Sequence, residues 1–134
     1  MKKFVKIAAV ILVAVVALTA LVACGPSSDP DTALASLKSH GYSNAVKLTS
    51  GDDFDAVVTA LSAASGDLVA VVTGSKGNDT VTIWYFKNSS TADKYMDKAE
   101  DIIEQQQGSH SNWQSGLSNG MIYFGTFAGI SAAR

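Results

Sequence analysis

A chain of 134 residues with 47% hydrophobic and 16% charged residues has the size and composition of one globular domain. Ten basic against twelve acidic residues give a formal charge of −2, without the basic footprint that nucleic-acid binding demands. The single cysteine, Cys24, rules out an internal disulfide and a thiolate metal site.

The first segment opens with Met1-Lys2-Lys3-Phe4-Val5-Lys6 and continues from Ile7 to Ala23 without a charge. A basic start followed by an apolar run is the pattern of a secretory leader. The run ends in Leu21-Val22-Ala23-Cys24. This resembles the lipobox of bacterial lipoproteins: two aliphatic residues, a small residue, then cysteine. The resemblance implies that signal peptidase cuts between Ala23 and Cys24. The Cys24 thiol then carries a diacylglyceryl group as a thioether, and the freed amine a palmitate-like acyl chain. Two acyl chains suffice for stable anchoring where one does not, at about 0.8 kcal/mol per buried methylene. An ordinary secretory cut fits less well. After Ala23 it leaves Leu21 at the third-last position, and after Gly25 it is followed by Pro26. An uncleaved membrane helix is the other alternative, since the apolar run sits at the short end of spanning length.

These assignments divide the chain into a leader (1–23), a lipidated tether (24–29) and one domain (30–134). The expected location is the extracytoplasmic face of a cell membrane. Gly25-Pro26-Ser27-Ser28 reads as flexible, with no apolar residue to pack. Removal of Lys2, Lys3 and Lys6 leaves seven basic and twelve acidic residues, a formal −5. Such a domain has no electrostatic attraction to anionic headgroups, so its expected membrane partner is reached through the anchor alone.

In the domain, Asp29-Pro30-Asp31 suits a helix start, and Ala33, Leu34 and Leu37 form a stripe that predicts a helix over 30–40. Ala45 to Leu48 is a short strand. Phe54, Val57, Val58 and Leu61 follow the i, i+3, i+4, i+7 pattern behind the acidic start Asp52, Asp53, Asp55, predicting a helix over 53–64. Residues 67–73 and 80–86 are apolar and β-branched strands around a turn, a hairpin. Asn88 to Thr91 caps a helix over 91–107, with Tyr95, Met96, Ala99, Ile102, Ile103 and Gln106 on its inner face. Residues 108–116 read as a polar loop holding Trp113. Asn119-Gly120 is a turn signal, 121–124 a last strand, and Thr126 the cap of a short helix with Phe127 and Ile130 inward.

After the first helix the order β-α-β-β-α-β predicts an α+β fold, specifically the ferredoxin-like split βαβ sheet with extra N-terminal and C-terminal helices. In strand 80–86, Val81, Ile83 and Tyr85 point one way and Thr82, Trp84 and Phe86 the other. A sheet apolar on both faces needs its second face either covered by the two extra helices, the expected arrangement, or open as a binding surface.

No catalytic constellation stands out. Asp52, Asp53 and Asp55 lack the alternation and the later glutamate of a calcium loop. His40 and His110 have no ligand-spaced partner, so no metal is expected. Gly74-Ser75-Lys76-Gly77 lacks the spacing of a phosphate loop and lies between strands. No serine lies in a nucleophile elbow. No cofactor is expected. Trp84 and Trp113 are the candidate binding surface, Trp113 as a large aromatic in a polar loop. The expected role is a non-catalytic binding or accessory module at the cell envelope, whose partner is an envelope protein or a small extracellular ligand. The alternatives are a hydrolase acting on envelope polymers and a structural lipoprotein without ligand.

Overall fold

The computed structural model describes residues 25–108 and 112–134. The leader, the lipobox Leu21 to Cys24 and His110 lie outside the described residues. The element order is α1 (Pro30–Ser39), β1 (Val46–Leu48), α2 (Asp52–Leu61), β2 (Leu68–Lys76), β3 (Asp79–Phe86), α3 (Ser89–Gln107), β4 (Trp113–Ser118), β5 (Met121–Thr126) and α4 (Phe127–Ala132). The α+β expectation holds: the five strands form one sheet in the order β1-β2-β3-β5-β4, and every neighbouring pair is antiparallel.

The ferredoxin-like strand order is not formed. In a split βαβ unit the strands flanking a helix run parallel with another strand between them, but β1 pairs directly with β2 as an antiparallel neighbour. The C-terminal half does contain one such unit. β3 and β4 flank α3, run in the same direction, and hold β5 between them. The strand that completes it, β4, lies partly in what reads as a polar loop. Gln114, Ser115, Gly116 and Ser118 carry no strand signal, because an edge strand needs only backbone pairing and little side-chain burial. The Tyr123 ring of β5 lies across Gly116, in space a Cβ would fill.

Both turns follow their local chemistry. Gly77-Asn78 closes the β2–β3 hairpin between Lys76 and Asp79, so these strands are longer than expected. Asn119 and Gly120, with φ of 50° and 79°, close β4 on β5 as the Asn-Gly pair predicts.

Both faces of the sheet are covered. On one, α1 and α4 enclose Ala33, Leu37, Val72, Val81, Ile83, Tyr85 and Ile130. On the other, α2 and α3 enclose Leu61, Val71, Trp84, Phe86, Tyr95, Ile103, Ile122 and Phe124. The alternation read from β3 is therefore correct, and the extra helices seal the second face. In β2 a bulge between Leu68 and Ala70 leaves Val69 48% exposed, while Leu68 and Val71 reach the α2/α3 layer.

Three expectations need correction. Phe127 is 51% exposed, and only Ile130 of the α4 pair turns inward. Of the inner face read for α3, Gln106 is exposed, while Ile102 is half-buried against the core beside Ile103. Residues 26–29 belong to the folded unit. Pro26 is buried, Ser27 N–H donates to the Ala133 carbonyl (2.8 Å), and the Tyr85 hydroxyl donates to the Ser27 carbonyl (2.8 Å).

Candidate functional site

A cleft of about 230 Å³ opens on the α2/α3 side of the sheet. Its floor crosses four strands: Val46 and Leu48 of β1, Val71 and Thr73 of β2, Thr82 and Trp84 of β3, and Phe124 of β5. The start of α2 (Asp53, Val57) and the end of α3 (Gln106) form its walls. The cleft exists because α2 leans lightly on the sheet. Of its apolar stripe only Leu61 is fully buried, while Phe54, Val57 and Val58 are half-covered. The helices are joined at the opposite end, where the Tyr95 hydroxyl accepts from the Ala64 N–H (3.0 Å).

Thr73 and Thr82 are cross-strand partners in this floor. Their hydroxyls lie 3.1 Å apart, and Thr73 Oγ1 also donates to the Val81 carbonyl at 3.1 Å. Trp84 meets Phe124 edge-on, with centroids 5.1 Å apart and planes at 71°. The Trp84 Nε1–H is sealed from solvent and has no hydrogen-bond partner among the described residues. A buried donor left unpaired is uncommon and costs about 1–3 kcal/mol. The cleft thus combines an aromatic floor with a few hydroxyl, amide and carboxylate groups at its edge.

The two tryptophans expected on a binding surface are placed differently. Trp84 is 2% exposed and belongs to the core, contributing to the cleft only as floor. Trp113 opens β4 and lies half-buried against Phe124, centroids 5.9 Å apart. Neither is an exposed anchor. Thr73, Val57 and Gln106 were legible in the sequence only as strand and helix-face positions, with no signal for a site. Thr82 carried a signal, since alternation in β3 puts this polar residue on the same face as Trp84.

Scanned against family models, curated proteins and solved structures, the chain matches none.

The other polar groups have structural work. Asp67 is buried at the base of β2, where Oδ2 accepts from the Tyr95 hydroxyl (2.6 Å) and Oδ1 pairs with Lys87 (2.9 Å). These partners, the Tyr95 bond first, hold its carboxyl below the usual range and raise the Lys87 ammonium in turn. A carboxylate so held stays ionised near neutral pH, whereas a general acid or base works near its pKa. The His40 Nδ1 lies 2.8 Å from the Ser36 carbonyl at the end of α1. Asp52, Asp53 and Asp55 occupy the first turn of α2, where they complement the helix dipole. Among the described residues no three His, Cys, Asp or Glu side chains are grouped to hold a metal. Among them, too, no helix is long and apolar enough to cross a membrane.

Proposed function

We propose that the chain is an envelope lipoprotein, held at the extracytoplasmic membrane face by a diacylglyceryl group on Cys24, and that its domain is a non-catalytic binding module. The placement is carried by the run Leu21-Val22-Ala23-Cys24 behind a basic start and an uncharged apolar stretch. The binding role is carried by the cleft over Trp84 and Phe124. Its volume of about 230 Å³ suits a single aromatic or branched aliphatic group, whether from a small ligand or from a partner's side chain. The threonine pair in the floor favours an occupant that also carries a hydrogen-bonding group.

Phenol is a suitable probe, and the Trp84 indole N–H resonance a local reporter. Titration is expected to shift that resonance and the Val57 methyls. Val57→Trp, which fills the mouth, is expected to abolish the shifts while leaving the melt intact. Shifts spread over the surface, or unchanged by Val57→Trp, would remove the cleft from the account.

A further inference from the structure

The position of Ser27 says how the domain would sit on a membrane. Three peptide units separate Cys24 from Ser27, and a fully extended chain covers no more than about 3.6 Å per residue, roughly 11 Å in all. Ser27 is held in place at both backbone groups, by the Ala133 carbonyl at the end of α4 and by the Tyr85 hydroxyl in the sheet. Burial pushes the Tyr85 phenol far above its ordinary value, so it remains a donor at any physiological pH. Pro26 is buried beside this anchor point. No slack is left for a leash.

From this we infer that the domain is docked directly onto the lipid surface by the end where α1 begins and α4 stops, with the β2–β3 hairpin turn pointing away from the bilayer. The inference rests on the lipid anchor at Cys24 proposed above. Two relations give the direction. The anchored segment belongs to the α1/α4 layer, whereas the cleft lies on the α2/α3 side, so the sheet separates them. Along the strands, Tyr85 marks the anchored end and the Gly77-Asn78 turn the far end. Asn78 and Tyr85 are seven residue steps apart along β3 and its turn, roughly 23 Å at about 3.3 Å per residue. The helix α1 gives the same direction, because the Lys76 ammonium of the hairpin end donates to the His40 carbonyl (3.0 Å) at its C-terminus. The occupant of the anchored end is thus a lipid surface, and the cleft, on the opposite face of the sheet from the anchored layer, is left uncovered by it.

The test uses the full lipidated protein in phosphatidylethanolamine–phosphatidylglycerol vesicles containing a headgroup-nitroxide lipid. In the lipidated protein the Cys24 thiol is blocked, so Arg134→Cys or Asn78→Cys supplies the sole free thiol for a fluorophore. A dye at 134 is expected to lose most of its emission to the nitroxide, and a dye at 78 to keep it. A twenty-residue Gly/Ser spacer inserted after Cys24 is expected to restore the emission at 134 without changing the melt. Equal quenching at both positions, or quenching at 134 that survives the spacer, overturns the docked orientation while the anchor stands, provided mass analysis shows the lipid. A Cys24 without lipid overturns both.

Discussion

The Tyr95 hydroxyl donates to Asp67 Oδ2 at 2.6 Å and, through the same oxygen, accepts the Ala64 N–H at 3.0 Å. One side chain of α3 therefore fixes the loop after α2 and the first residue before β2. Its ring stacks on Phe86, centroids 5.6 Å apart, so the polar contact stands on an apolar one. The link decides where α3 and α2 meet and, by consequence, which end of their interface stays open as the cleft.

This link predicts a specific acid limb. The Tyr95 hydrogen bond, with Lys87 beside it, holds the folded Asp67 carboxyl below its ordinary range. A lowered folded pKa contributes stability that is complete above the unfolded value and is lost as pH falls through the folded one. Denaturant midpoints should therefore hold steady from pH 7 to about 5 and drop below about 4. Tyr95→Phe, which removes the leading cause of the shift, should lower Tm by several degrees at pH 7 and by less at pH 3. An equal loss at both pH values would show that the variant acts through packing alone.

Two adjacent isoleucines on α3 separate core from margin. Ile103 is 5% exposed within the α2/α3 core, whereas Ile102 is only half-buried. An unpaired charge in the first position has no route to water. Ile103→Asp should leave no cooperative melt at 25 °C, and Ile102→Asp should fold with a Tm several degrees lower. Circular dichroism melts of the two variants decide this, and the reverse ranking would mean that the α3 face is rotated from the one described.

The join of β5 to α4 depends on a close approach of backbones. Gly125 has φ of +143°, and a Cβ there would meet the Thr80 carbonyl oxygen and lie 2.8 Å from Val81 Cα. Neither atom is the tip of a flexible side chain. Gly125→Ala should therefore cost about 1–3 kcal/mol in a denaturant titration, in the range of overpacked sites. A control such as Ser90→Ala, on the exposed first turn of α3, should change little. An unaltered Gly125→Ala midpoint would contradict the close packing of β5 on β3.

Much of the fold was legible in the sequence. The stripe Tyr95-Ala99-Ile103, the alternation Val81-Ile83-Tyr85 against Trp84-Phe86, and the Asn119-Gly120 turn each obey a local rule that the tertiary structure keeps. The losses came where local chemistry is silent. β4 is held by backbone pairing to β5 and by one aromatic ring over Gly116, and neither shows as hydrophobic periodicity. Missing that strand hid the site of the one split βαβ unit. The place of β1, at the edge beside β2 instead of in the centre of the sheet, is a matter of topology that three residues cannot encode. Gly25 to Ser28 has the composition of a linker, and what fixes it is a phenol and a carbonyl contributed by Tyr85 and Ala133. The cleft was half legible: β3 alternation placed Thr82 and Trp84 together, but the light seating of α2 that leaves them uncovered is a property of packing.

We propose that the domain is joined to its membrane by a lipid on Cys24, with no free leash. Intact-mass and N-terminal peptide analysis of the protein extracted from membranes tests it most directly. The prediction is a chain that begins at Cys24, with the mass of a diacylglyceryl thioether and no residue of 1–23 retained. Cys24→Ser should abolish both processing and lipid. A mature chain that starts at another residue, or that carries an unmodified Cys24, would contradict the claim.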